Sequence, residues 1–120
     1  MPRTSVYRFS SMPDDRRRRL VIEAIVEMVS KNIGRSMVVT TAKVCRYLFG
    51  TSDDLPGRVR QTVAMVLIDL QRRNVITLYE PPRRRKGRRY LVMKSMLPAL
   101  IREAYGRPVE PGNTVLTPWL

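Results

Sequence analysis

Apolar positions along the chain recur at helical spacing in several stretches and as short β-branched runs in others. From about Asp15 to Asn32, Leu20, Val21, Ile22, Ala24, Ile25, Val26, Met28 and Val29 predict a helix. Their spread covers more than one face, whereas a helix on a single core needs a narrower stripe. The surplus predicts packing against the C-terminal segment or a dimer contact, with Ile22, Val26, Leu97, Leu100 and Ile101 as contact residues. Pro13-Asp14-Asp15 reads as the helix start, a carboxylate capping free amides and complementing the dipole. Gly34 stands just past the end, where glycine often closes a helix. Glu23, Glu27 and Lys31 lie four apart on a solvated stripe.

Met37 to Val39 predicts a strand too short to stand alone. Thr40 or Thr41 would cap a helix from Ala42 to Phe49 whose apolar face is Val44, Cys45, Leu48 and Phe49, with Gly50 ending it. In Thr51 to Gly57, Ser52, Asp53 or Asp54 would cap the next helix, which runs to about Arg73. Val59, Val63, Val66, Leu67 and Leu70 form its core stripe, and opposite them near its start lie Arg58, Arg60, Gln61 and Thr62. The runs VITLY and YLVM then fit two strands of a hairpin. Pro81 and Pro82 end the first strand, and Gly87 gives the loop a position tolerant of positive φ. The loop between carries Arg83, Arg84, Arg85, Lys86, Arg88 and Arg89. No core buries so many like charges unpaired.

Ser95 can cap a last helix, Met96 to Tyr105, with Leu97, Leu100, Ile101 and Ala104 on one face and Gly106-Arg107-Pro108 stopping it. The domain organisation expected is an N-terminal arm over 1–13, one folded domain over 14–106 and a tail over 107–120. Met1 to Met12 has no sustained period. It reads as an extended or fraying arm whose Arg3, Tyr7, Arg8 and Phe9 could follow a groove or stack on bases. The tail ends on Val115, Leu116, Trp119 and Leu120, and packing of Trp119 against its own domain or binding of a partner are its two readings.

Composition changes this picture mainly through charge. The 120 residues carry a formal net charge of +13 with a pI near 11.2. Such an excess attracts polyanions at long range and strains the isolated fold by self-repulsion. Arg16 and Arg17, in the first turn of a helix where the dipole disfavours cations, add candidate phosphate contacts. With no histidine and a single cysteine, zinc fingers, His-based acid–base catalysis and Cys–His nucleophiles are excluded. Asp53 and Asp54 are paired carboxylates, but their place before a helix explains them as caps. The expectation is therefore no enzyme, no metal and no cofactor. Cys45 reads as a small core hydrophobe, and its lack of a partner suits a reducing cytoplasm. No apolar run approaches the ~20 residues needed to span a bilayer, and no signal-peptide pattern opens the chain.

The order helix, short strand, helix, turn, helix, strand, basic loop, strand, helix over about Asp14 to Tyr105 resembles the winged helix-turn-helix family of nucleic-acid-binding proteins, in its archaeal or viral form. The resemblance implies an α+β fold: a three-helix core, a short β-sheet, a basic wing hairpin and here an added C-terminal helix. It implies that helix 55–73 enters the major groove with Arg58, Arg60, Gln61 and Thr62 as its reading face. The wing, 81–89, would meet the backbone or minor groove. The link from Gly50 to Pro56 is longer than the tight turn of simple bacterial repressors. The function expected is a DNA-binding transcription regulator or chromatin-like factor, homodimeric and nucleoid-associated in the cytoplasm. An RNA-binding, ribosome-associated winged-helix protein is the first alternative and a protein–protein adaptor the second.

Overall fold

The computed structural model describes residues 4–80 and 88–105. Helix α1 spans Val6–Ser11, α2 Asp14–Lys31, α3 Thr41–Phe49, α4 Gly57–Arg72 and α5 Leu97–Tyr105. Strands β1 (Ser36–Val39), β2 (Thr77–Glu80) and β3 (Arg89–Met93) form one antiparallel sheet in the order β1-β3-β2. The described residues are thus α+β, five helices with a small three-stranded sheet, an arrangement compatible with a winged helix.

Helix α2 is the axis of the core. Val21, Ile22, Ala24, Ile25, Met28 and Val29 are all buried, an arc too broad for one neighbour. One side meets α3 and α4, and the other meets α5. The surplus apolar surface is therefore filled within the chain. Ile22 and Leu100 are fully buried, which corrects their assignment as dimer contacts: neither has surface to offer a partner. Val26 and Leu97 are half-buried and only Ile101 is exposed.

Helix α4 follows its sequence pattern, with Val59, Val63, Val66, Leu67 and Leu70 all buried. Helix α3 places Val44, Cys45 and Leu48 in the same core. Burial pushes the Cys45 thiol above its ordinary value, against the opposing charge of Arg60, as suits a core hydrophobe. Thr40 caps α3 by accepting from the Lys43 amide at 3.1 Å, and Gly50 closes it at φ 83°. That left-handed value favours glycine.

Several helix ends differ from expectation. Pro13 and Pro56 precede α2 and α4 without any side-chain cap. Asp14 pairs instead with Arg17, while Thr51 accepts from the Asp53 amide to shape the turn before α4. Helix α2 closes through the Asn32 amide on Met28 and Val29 carbonyls, so Gly34 is not its left-handed stop. Asn74, at φ 61°, turns the chain out of α4 into β2. A short 3-10 turn, Lys94–Met96, precedes α5, so Ser95 does not cap that helix directly. The tail over 107–120 and the stop at Gly106-Arg107-Pro108 lie outside the described residues.

The N-terminal stretch is the largest correction. Residues Val6–Ser11 form a helix capped by Ser5, not an extended arm. Phe9 is 1% exposed and meets Phe49 edge-on at 5.2 Å, while the Thr4 amide donates to the Leu48 carbonyl at 2.9 Å. A side chain so enclosed has no face for stacking on a base. Tyr7 remains outside.

Strand β3 lies between β1 and β2, with Tyr90 and Val92 buried. On the β1 edge, the register pairs Ser36 with Met93, and the Lys94 amide donates to the Arg35 carbonyl at 2.8 Å. That pattern turns the Ser36 and Val38 carbonyls outward. Asn32 Nδ2 donates to the first at 2.9 Å and Lys43 Nζ to the second at 2.8 Å. The edge is thereby shielded from pairing with another strand.

A part-buried ion cluster ties the helices together. Arg18 donates to Asp69 Oδ2 at 2.9 Å, to Glu103 Oε1 at 2.8 Å and to the Glu103 carbonyl at 2.9 Å, and Arg73 Nε donates to Glu103 Oε2 at 3.2 Å. Burial works against the Arg18 charge, but the hydrogen bonds and charges of Glu103 and Asp69 outweigh it and hold Arg18 above its ordinary value.

Two predictions follow from this packing. Glu103→Gln removes one charge from the Arg18 cluster and costs about 1–2 kcal/mol, because charged hydrogen bonds away from bulk water are worth more than exposed ones. Arg73→Gln, at the more exposed end, costs less than ~1 kcal/mol. Thermal unfolding by circular dichroism checks both, and equal losses would argue against the cluster as the clasp. Separately, Tyr47 donates to Glu27, and burial together with that bond pushes its phenol up to about 12. The raised value means the stabilisation is complete below the ordinary tyrosine pKa of ~10 and is lost as pH rises through the folded value. An ultraviolet phenolate titration should lose a step near pH 12 in Tyr47→Phe.

Candidate nucleic-acid interface

Helix α4 turns a cationic start toward α1 and α2. Two clefts lie there, of about 480 and 440 Å³, and both are lined by Arg17, Arg58 and Thr62. The first is closed on its far side by Phe9 and Ser10 of α1. The second runs along Gln61 and Met65 to Asp69. Asp14 and Asp69 offset the positive charge of the second cleft, so an anion finds the stronger field in the first.

The side chains of this region divide by task. Arg17 donates to the Ser10 carbonyl at 3.1 Å and pairs with Asp14, while its buried Nε has no hydrogen-bond partner. Arg58 and Gln61 are exposed at the cleft mouths. Thr62 is half-buried and its hydroxyl donates to the Arg58 carbonyl at 2.9 Å, which leaves only its lone pairs for a partner. Arg60 stands apart. Residues two apart on a helix are separated by roughly 200° around its axis, so Arg60 and Thr62 cannot share a reading face. The Arg60 guanidinium instead donates to the Ser52 carbonyl and holds the turn between α3 and α4. Arg16 is exposed and lines neither cleft.

The hairpin is the second cationic element. Its register passes from Leu78 opposite Tyr90 to Glu80 opposite Arg89, so Tyr79 is the extra residue of a bulge. Bulges bend a strand and re-aim the side chain they carry. Tyr79 is 51% exposed, and the Arg89 guanidinium carbon lies 5.9 Å from its ring centroid. Arg88 is exposed and Arg89 half-buried. Arg83, Arg84, Arg85 and Lys86, with Pro81, Pro82 and Gly87, lie outside the described residues. They join the two strand ends by chain connection.

Sequence reasoning passed over two exposed side chains. Tyr79 was signalled by an aromatic at the strand end beside a cationic loop, and Met65 by its place one turn beyond Gln61 and Thr62. Among the described residues no group of histidine, cysteine or acidic side chains could hold a metal ion, and no helix is long and apolar enough to cross a membrane. No protein-family model, no curated protein and no solved structure matches this chain.

Proposed function

We propose that this chain is a nucleic-acid-binding protein of the winged-helix type with duplex DNA as its partner, most simply a transcription regulator or chromatin-like factor. The observation that carries the reading is the basic hairpin. Six cations occupy 83–89, and they are attached to a strand anchored in the core by Tyr90 and Val92. A rigid root and a repelling tip suit a polyanion, whose phosphates relieve the repulsion as counterions leave. The strand order β1-β3-β2, with α3 and α4 between β1 and the hairpin, supports the same reading. Arg58 and Gln61, exposed on α4, are side chains that pair with base edges in a major groove.

RNA is the second reading, and Tyr79 favours it. An exposed ring held beside Arg89 at the root of the wing is a platform for an unstacked base, which loops and bulges of RNA offer more often than duplex DNA.

Competition binding by fluorescence anisotropy, with random duplex DNA against structured RNA of equal length, tests the proposal across a salt series. If ~5–7 cations engage phosphates, the log–log salt slope for DNA is roughly −4 to −6, and Arg83, Arg84 and Arg85→Gln together flatten it by about 2–3. An unchanged slope removes the wing from the interface. Clear preference for RNA at near-physiological salt replaces the first reading by the second. On a selected DNA site, Arg58→Ala should cost about 1–3 kcal/mol, with little effect on random sequence.

A further inference from the structure

On the side of the molecule formed by α2 and α5 lies a cleft of different character. It measures about 470 Å³ and is lined by Glu23, Val26, Glu27, Ile101, Ala104 and Tyr105. The floor is apolar: Val26 and Ala104 are half-buried, and Ile101 remains 44% exposed. Its rim carries two carboxylates, Glu23 accepting from the Tyr105 hydroxyl and Glu27 from the Tyr47 hydroxyl. Each carboxylate keeps lone pairs for a further donor. In a chain of net charge +13, two carboxylates on an apolar cleft, with Arg19 over the Tyr105 ring at 5.4 Å, suit an apolar side chain with a hydrogen-bond donor better than a phosphate backbone.

We propose that the segment 106–120 of the same chain folds back and seats Trp119 in this cleft. Helix α5 ends at Tyr105, which is itself a wall of the cleft, so the segment starts where it would bind. Trp119 follows Tyr105 by fourteen residues. Up to ~3.3 Å per residue of extended chain gives ample reach. Closing such a loop costs little more than closing a shorter one, since the entropy grows only with the logarithm of length. Tethering also keeps the local concentration of the segment in the millimolar range, far above that of a free partner. The chemistry matches at both ends of the side chain: the indole body fits an apolar floor, and its N–H finds an acceptor in Glu23 or Glu27. Val115 and Leu116 precede it and extend the apolar contact.

Trp119 is the sole tryptophan, so its emission reports on one site. The experiment measures emission and acrylamide quenching of the full chain, then of Ile101→Glu, across a dilution series without nucleic acid. The expected result is blue-shifted, quench-protected emission independent of concentration, with a red shift and a several-fold rise in quenching in the variant. Solvated emission in the unaltered chain overturns the proposal. Protected emission that Ile101→Glu leaves unchanged also overturns it, because Trp119 is then buried elsewhere. Protection that disappears on dilution assigns the cleft to a second copy, and the intramolecular proposal fails. Should the Glu variant lose its helical circular dichroism, Ile101→Ser provides the milder lesion with the same readout.

Discussion

The burial of α2 on two sides is the constraint on which the rest of the structure depends. A helix enclosed by α3 and α4 on one side and α5 on the other keeps Glu23 and Glu27 along its middle and carries its denser run of charges, Asp14 to Arg19, at its start. There the macrodipole disfavours the run Arg16 to Arg19. Structure offsets that cost by giving the run partners. Arg18 joins α2 to α4 through Asp69 and to α5 through Glu103, and Arg19 lies over the Tyr105 ring at 5.4 Å. The added C-terminal helix is thus fixed by charge at one end and by Leu100 in the core.

That arrangement also decides where positive charge is left over. Of the ten acidic residues, Asp14, Asp69 and Glu103 pair with arginines and Glu23 and Glu27 accept from tyrosines. All five are used in holding α2 to its neighbours or shaping its start. Asp14 and Asp69 also line the second cleft beside Arg58, so at the start of α4 the cationic field is stronger in the first cleft.

Much of the fold was legible because its periods are local. The α4 stripe, the α3 face and the Gly50 stop rest on contacts within a few residues, and the structure places them as the pattern does, while β2 begins at Thr77, two residues later than the run VITLY. What could not be read was non-local. Nothing near Phe9 announces Phe49, and nothing near Arg18 announces Glu103, so α1 looked like an arm and the pattern gave Arg18 no role distinct from its neighbours. Surplus apolar surface on α2 was legible, but pattern alone could not choose between α5 and a second chain. The grouping of Arg60 with Thr62 was different in kind, because helical geometry alone separates them.

The hairpin joins these threads. Six like charges on one loop push apart, and a two-stranded ribbon alone is at best marginally stable in water. Strand β3 resolves this by lying inside the sheet, paired on both edges and buried through Tyr90 and Val92. The opposite edge of the sheet is closed by Asn32 and Lys43, so strand addition there is blocked. The bulge at Tyr79 belongs to the same logic: it breaks the ladder one residue before the charged loop and points an aromatic ring outward beside Arg89. The bulge thus leaves the Tyr79 ring half in solvent, with the Arg89 guanidinium carbon 5.9 Å from its centroid, at the root of the charged loop.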